Sequence, residues 1–73
     1  MIIKTKYTIG DRAWFDSHGM PEEARVTGIR ISVLLDGYVI ITYSLVSLVK
    51  KGTVYFWNEE KLFPTKEELL KSL

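Results

Sequence analysis

The stretch Tyr7-Thr8-Ile9-Gly10-Asp11-Arg12-Ala13-Trp14-Phe15-Asp16 decides the fold class. A Gly-Asp pair punctuates the chain and leads into apolar, β-prone residues, which is how the first strand of a very small β-barrel opens. A period of two over Arg12–Asp16 sets Ala13 and Phe15 on one face and Arg12 and Trp14 on the other, and the first pair reads as core. Upstream, Met1–Lys6 reads as an edge strand or a loosely held tail.

Downstream, Ser17-His18-Gly19-Met20-Pro21 is dense in turn formers and reads as a loop, since Pro21 lacks the N–H that a central strand donates. The run Glu22–Leu35 then changes phase: Ala24 and Val26 share one parity, Ile29, Ile31 and Val33 the other. Gly28 sits at the slip, which predicts a bulge or a sharp bend. Asp36-Gly37 predicts a type I′ hairpin turn joining Ile29–Leu35 to Tyr38–Leu45. In that third strand Val39, Ile41, Tyr43 and Leu45 face the core. Lys50-Lys51-Gly52 marks a further turn, and Thr53–Trp57 a fourth strand in which Val54 and Phe56 are assigned to the core and Tyr55 and Trp57 to the outside.

Past Pro64, Thr65-Lys66-Glu67-Glu68 has the form of a capping box, with Thr65 accepting from the Glu68 N–H and Glu68 reaching back. It predicts a helix over 65–73 whose leucines, Leu69, Leu70 and Leu73, dock on the sheet, because so short a helix is marginal alone. The expected core is Phe15, Val26, Ile29, Ile31, Val39, Ile41, Tyr43, Val54, Phe56, Leu62, Leu69 and Leu73. The chain is thus expected to be a single all-β domain over 1–73: about five antiparallel strands and one short C-terminal α-helix.

Composition narrows the function classes. Hydrophobic residues make up 47% of the 73 positions and aromatics 12%, far from the balance that keeps a chain disordered. A domain this short buries roughly 60% of its unfolded surface, so its core has to be compact. With no cysteine there is no disulfide framework and no thiolate metal site, which points to a reducing, cytoplasmic setting. No signal-peptide h-region follows Met1, and the apolar-rich run 38–49 is too short to span a bilayer. Ten basic against nine acidic residues give a net charge of +1, too little to steer anionic partners.

Gly10-Asp11-x-Ala13-Trp14-Phe15, Ala24-Arg25-Val26-Thr27-Gly28-Ile29 and Asp36-Gly37-Tyr38-Val39-Ile40-Ile41-Thr42-Tyr43 resemble the small SH3-like barrels, the group that includes Tudor and KOW modules. The resemblance covers residues 7–63 and implies a barrel. The ending Glu60-x-Leu62-Phe63-x-Thr65-Lys66-Glu67-Glu68-Leu69-Leu70 resembles short proteins of bacteria and their phages or mobile elements, a group for which it implies a fold and no activity. Neither the methyl-cation cage of Tudor modules nor the RNA or ribosomal role of KOW modules carries over residue by residue. Most aromatics here sit inside strands, and only Arg25-x-x-Gly28-x-Arg30 echoes a KOW motif.

No constellation points to an enzyme. Asp16-Ser17-His18 holds the residue types of a hydrolase triad, but consecutive side chains in a turn point apart. His18 is the only histidine, so a metal site would lean on carboxylates alone, and none is expected. No glycine-rich phosphate loop exists, and no cofactor is expected. Glu22-Glu23 and Glu59-Glu60 read as solvated charges at strand ends, with Glu60 the one placed to accept from backbone N–H groups in a turn.

Two binding surfaces remain. Trp14, Tyr38, Ile40, Tyr55 and Trp57 have the parity opposite to the core, and Leu48 lies in the apolar run Leu45–Val49, where polar residues would be expected. Some of them must be covered by the C-terminal helix, by a second copy or by a partner, which predicts a non-enzymatic protein-interaction module, with a homodimer as one form of it. The alternative is a weak RNA- or DNA-binding accessory protein using Lys4, Lys6, Arg12, Arg25 and Arg30 on the outer faces of the first strands, with Trp14 for stacking.

Overall fold

Four antiparallel strands, β1 (Arg12–Ser17), β2 (Met20–Val33), β3 (Val39–Ser47) and β4 (Val54–Asn58), form one open sheet in the order β1-β2-β3-β4. A single 3-10 turn over Glu59–Lys61 and the helix α1 (Lys66–Ser72) complete the computed structural model, which describes residues 2–73. Met1 lies outside the described residues, and Ile2–Lys6 form no strand. After the 3-10 turn the chain returns to the free side of β1, where Trp14 and Phe63 exchange backbone hydrogen bonds of 2.8 and 2.9 Å.

Two of the turns differ from expectation. The β1–β2 connection is a two-residue turn at His18-Gly19, both with positive φ (53° and 86°), and Met20 and Pro21 belong to β2 rather than to a loop. Pro21 is tolerated because Ser17 and Met20 flank the turn as a hydrogen-bonded pair. That phase aims the Pro21 nitrogen away from β1, on a side of β2 that β3, ending opposite Ala24, does not reach. The β2–β3 connection has three residues rather than two. Gly37 donates to the Leu34 carbonyl, Leu34 donates to that of Tyr38, and only Gly37, at φ 85°, is left-handed. This is a turn followed by a glycine bulge, not a type I′ turn. The Asp36 carboxylate accepts from the Tyr38 N–H at 2.9 Å and supports it.

The phase change in β2 is present. Val26 pairs with Leu45 and Gly28 with Ser44, so one residue, Thr27, is extra. The bulge keeps Val26 and Ile29 on the same face although their separation in sequence is odd. That face carries the core: Tyr7, Ala13, Phe15, Ala24, Val26, Tyr43, Leu45 and Leu62 are buried, with Ile29, Ile41, Tyr55 and Trp57 packed against them.

Four residues expected in the core are exposed: Ile31 (44%), Val54 (53%), Phe56 (67%) and Leu73 (69%). In β4 the reason is register. Tyr55 lies opposite Leu45 and Trp57 opposite Tyr43, and cross-strand neighbours share a face, so the two aromatics go in and Val54 and Phe56 go out. Phe15 then packs against both, with ring centroids 4.9 Å from Tyr55 and 5.4 Å from Trp57. Ile31 sits on the core face but in the distal part of the β2–β3 hairpin, beyond the reach of β1 and β4.

The helix begins at Thr65, whose hydroxyl accepts from the Glu68 N–H at 3.2 Å as the capping pattern requires. It lies against β1 and β2 and buries Leu69, while Leu70 and Leu73 stay exposed because seven helical residues present one leucine to the sheet.

The bulge yields a double-mutant prediction. A Cβ on Gly28 would stand 2.5 Å from the Ser44 Oγ, which Thr27 Oγ1 holds at 3.0 Å. Gly28→Ala should cost about 1–2 kcal/mol by overpacking. In a Ser44→Ala background most of that cost should vanish, since the nearest remaining atom is the Ser44 Cβ at 3.7 Å. Urea denaturation of the four proteins measures the coupling, and strictly additive effects would contradict the contact.

Candidate functional site

Cross-strand pairing defines what the outer face presents. One row runs Arg12–Arg25–Val46–Val54, the next Gly28–Ser44–Phe56, and the third Arg30–Thr42–Asn58. Arg12, Arg25 and Arg30 are all exposed and share this face, and none is in an ion pair among the described residues. Arg12 and Arg25 stand directly opposite each other, an arrangement of like charges that a sheet does not favour by itself. Because Gly28 has no side chain and Ser44 a small one, a hollow of about 180 Å³ opens beside Arg30 and Phe56. That is below the size of a typical small-molecule pocket.

The other two basic candidates are elsewhere. Lys4 lines an open trough with Ile2, Ile3, Val39 and Ile41, on the core-face side of the sheet. The Lys6 backbone N–H is tied to Glu59. The five basic residues named from the sequence therefore divide into three arginines on one face and two lysines on the N-terminal segment.

The apolar candidates are also dispersed. Tyr55 and Trp57 pack inward. Trp14 and Ile40 are half-buried on the outer face, Tyr38 is exposed at the end of the β2–β3 hairpin, and Leu48 is exposed just past β3. The Trp57 indole N–H is buried without an acceptor among the described residues. Two uncovered apolar places emerge instead. One is the outward side of β4, with Val54 and Phe56; the other is the hairpin end, where Val33, Leu34, Leu35 and Tyr38 are exposed.

Asp16, Ser17 and His18 serve the first turn. The Asp16 carboxylate accepts from the Gly19 N–H at 2.8 Å, Ser17 pairs with Met20, and His18 occupies the left-handed corner.

Two carboxylates have structural settings that the sequence reading missed. Glu22, read as a solvated charge, is 4% exposed; its Oε2 accepts from the Ser47 hydroxyl at 2.8 Å and its Oε1 lies 3.6 Å from the Lys50 ammonium. The Ser47 Oγ in turn accepts from the Val49 and Lys50 N–H groups and so orders the chain leaving β3. Burial pushes the Glu22 carboxyl up, but the Ser47 hydrogen bond, the Lys50 charge and the Tyr55 and Ser17 hydroxyls outweigh it, leaving its pKa below the ordinary 4.5. The period-two pattern contained the signal, since Glu22 shares the parity of Ala24 and Val26.

The backbone-accepting role assigned to Glu60 belongs to Glu59. Its Oε2 accepts from the Tyr43 hydroxyl at 2.6 Å and from the Lys6 N–H at 2.9 Å, while the Tyr43 oxygen accepts from the Tyr7 N–H at 3.2 Å. This clamp fastens the N-terminal segment across the core. Burial first, and then the hydrogen bond to Glu59, raise the Tyr43 pKa to about 12. Tyr7 is raised as well, by burial and by the Glu59 charge.

With this geometry in hand, comparison with protein-family models, curated proteins and solved structures finds no match.

The two clamps fix the sign of the pH dependence. Glu22 has a lowered folded pKa, so its contribution is present above the ordinary carboxyl pKa of 4.5 and is lost as pH falls through the folded value. Glu22→Gln should flatten the acid limb of a stability–pH curve. Tyr43 has a raised pKa, so its contribution is complete below pH 10 and lost as pH rises from 10 towards 12. Tyr43→Phe should remove part of that alkaline loss. Urea midpoints between pH 2 and 12 measure both, and a variant curve parallel to the wild type on either limb would contradict the corresponding clamp.

Proposed function

We propose that this chain is a non-enzymatic protein-interaction module built on a small SH3-like barrel. The observation that carries the reading is the uncovered apolar surface: Val54 and Phe56 on β4, and Val33, Leu34, Leu35 and Tyr38 at the hairpin end, are exposed in so small a domain. The Trp14–Phe63 bridge supports the barrel, as a fifth strand reduced to one residue pair that begins to close the sheet on β1. The exposed side chains offered to a partner are therefore Val54 and Phe56 of β4 and those of the hairpin end, while Tyr55 and Trp57 turn towards the core. A cytoplasmic setting and a phage or mobile-element origin belong to the same reading.

One observation favours a second reading, a weak RNA- or DNA-binding accessory protein. Arg12, Arg25 and Arg30 share one face, which also carries Glu23, and make no ion pair among the described residues, and Arg30 adjoins the exposed ring of Phe56. A cationic sheet face with an aromatic side chain is the chemistry of backbone contact with base stacking.

Capture from a bacterial lysate, divided into nuclease-treated and untreated halves, separates the two. For the interaction module, a bound protein survives nuclease and is lost with Leu35→Ser/Tyr38→Ser or Phe56→Ser at unchanged circular dichroism. For the alternative, bound material disappears with nuclease. Arg12→Ala/Arg25→Ala/Arg30→Ala then lowers the slope of log affinity against log salt for single-stranded RNA by about 0.7 per contact removed.

A further inference from the structure

β4 is the open edge of the sheet: it pairs with β3 on one side and with nothing among the described residues on the other. The phase of its backbone follows from the ladder. Ser47 donates to the Thr53 carbonyl, so in the uninterrupted register that follows, Tyr55 and Trp57 exchange hydrogen bonds with Leu45 and Tyr43. The N–H and C=O groups of Val54, Phe56 and Asn58 therefore point outward, to where the next strand would lie.

Edge strands of monomeric proteins are guarded by a lysine, a proline, a bulge or an inward charge. Val54-Tyr55-Phe56-Trp57-Asn58 has none of these, and it is uncharged and rich in β-formers. Other stretches also lack a partner among the described residues. Ile29–Val33, beyond the end of β1, carries Arg30, and β1 itself, the opposite edge, carries Arg12 and Asp16 and is bridged by Phe63 at Trp14. Val39–Ile41 of β3, beyond the end of β4, is uncharged but shorter, so β4 is the longest unguarded edge among the described residues.

We propose that two copies of this chain join β4 to β4 in antiparallel fashion about a two-fold axis at Phe56, making one sheet of eight strands. The inference rests on the protein-interaction reading and names its partner. Three features of the chain are self-complementary in this register. Phe56 faces Phe56 of the second copy and Val54 faces Asn58, and these are the residues with outward backbone groups, so every such pair is of the hydrogen-bonded kind. Tyr55 meets Trp57 of the second copy on the core face, an aromatic cross-strand pair. The flanking charges match as well. Lys50 and Lys51 precede β4 and Glu59 and Glu60 follow it, so the antiparallel arrangement sets Glu60 of one copy opposite Gly52 of the other, one residue from Lys51. Lys51 and Glu60 are exposed and make no ion pair among the described residues. A parallel arrangement would set lysine against lysine.

The test is sedimentation equilibrium of the full chain together with amide exchange read by NMR. The wild type should sediment as two chains at tens of micromolar, and the Phe56 amide should exchange about tenfold more slowly at high than at low concentration. Phe56→Lys, at a site exposed in the single chain, should sediment as one chain with unchanged circular dichroism. Lys51→Glu should weaken the pair, most at low salt, and Lys51→Glu/Glu60→Lys should restore it. A wild type that stays a single chain at several hundred micromolar overturns the proposal, and so does a Phe56→Lys protein that remains paired. If the single-chain wild type still captures a nuclease-resistant protein, self-pairing alone has failed; if it captures none, the interaction-module reading falls with it.

Discussion

The register between β3 and β4, set where Tyr43 lies opposite Trp57 and Leu45 opposite Tyr55, governs what this protein shows to its surroundings. Tyr43 and Leu45 are fully buried, so whatever stands beside them is drawn to the same face. Two large aromatics are drawn inward and complete a cluster around Phe15. As a direct consequence, Val54 and Phe56 are turned to solvent, and the outward backbone groups of β4 belong to the residues with exposed apolar side chains. A slip of one residue would exchange these sets and produce a protein with a different surface.

The bulge at Thr27–Gly28 does for β2 what that register does for β4. It lets a fourteen-residue strand serve the core from both of its halves, with Val26 against Leu45 and Ile29 against Tyr43. A domain of this size buries a modest share of its surface, and polar contacts, some of them buried, fasten its two ends. Glu22, Ser47 and Lys50 hold the exit of β3. Tyr43, Glu59 and the Lys6 and Tyr7 backbone hold the N-terminal segment. Each carboxylate has several partners, which is what makes its burial tolerable.

Much of the architecture is legible in the residues. The strand preferences, the glycine at the phase change in β2 and the Thr65 cap lead to a mainly β sheet, a bulge and a C-terminal helix, all of which are present. The parts that are not legible share a physical cause. Val54-Tyr55-Phe56-Trp57 is apolar at both parities, so alternation cannot say which pair faces inward; that is decided by β3, the neighbouring strand in the ladder. Glu22 has the parity of the core, but its charge argues for solvent until Ser47 and Lys50 are brought beside it by folding. Asp36-Gly37 takes its turn type from the length of the loop between Val33 and Val39 rather than from the dipeptide. The outer-face grouping of Arg12, Arg25 and Arg30 spans two strands and a bulge, so it emerges only once the register is known.

The most direct measurement on the central claim is the pattern of Hα–Hα nuclear Overhauser effects between β3 and β4 in solution. In an antiparallel ladder these protons come close only in the pairs that are not hydrogen-bonded, so the register reads out unambiguously. The account predicts strong effects between Ser44 and Phe56 and between Val46 and Val54, the two outward pairs. Effects linking Ser44 to Tyr55, or Val46 to Tyr55, would mean a shifted ladder, with Phe56 turned inward and the open edge carrying different residues, and would contradict it.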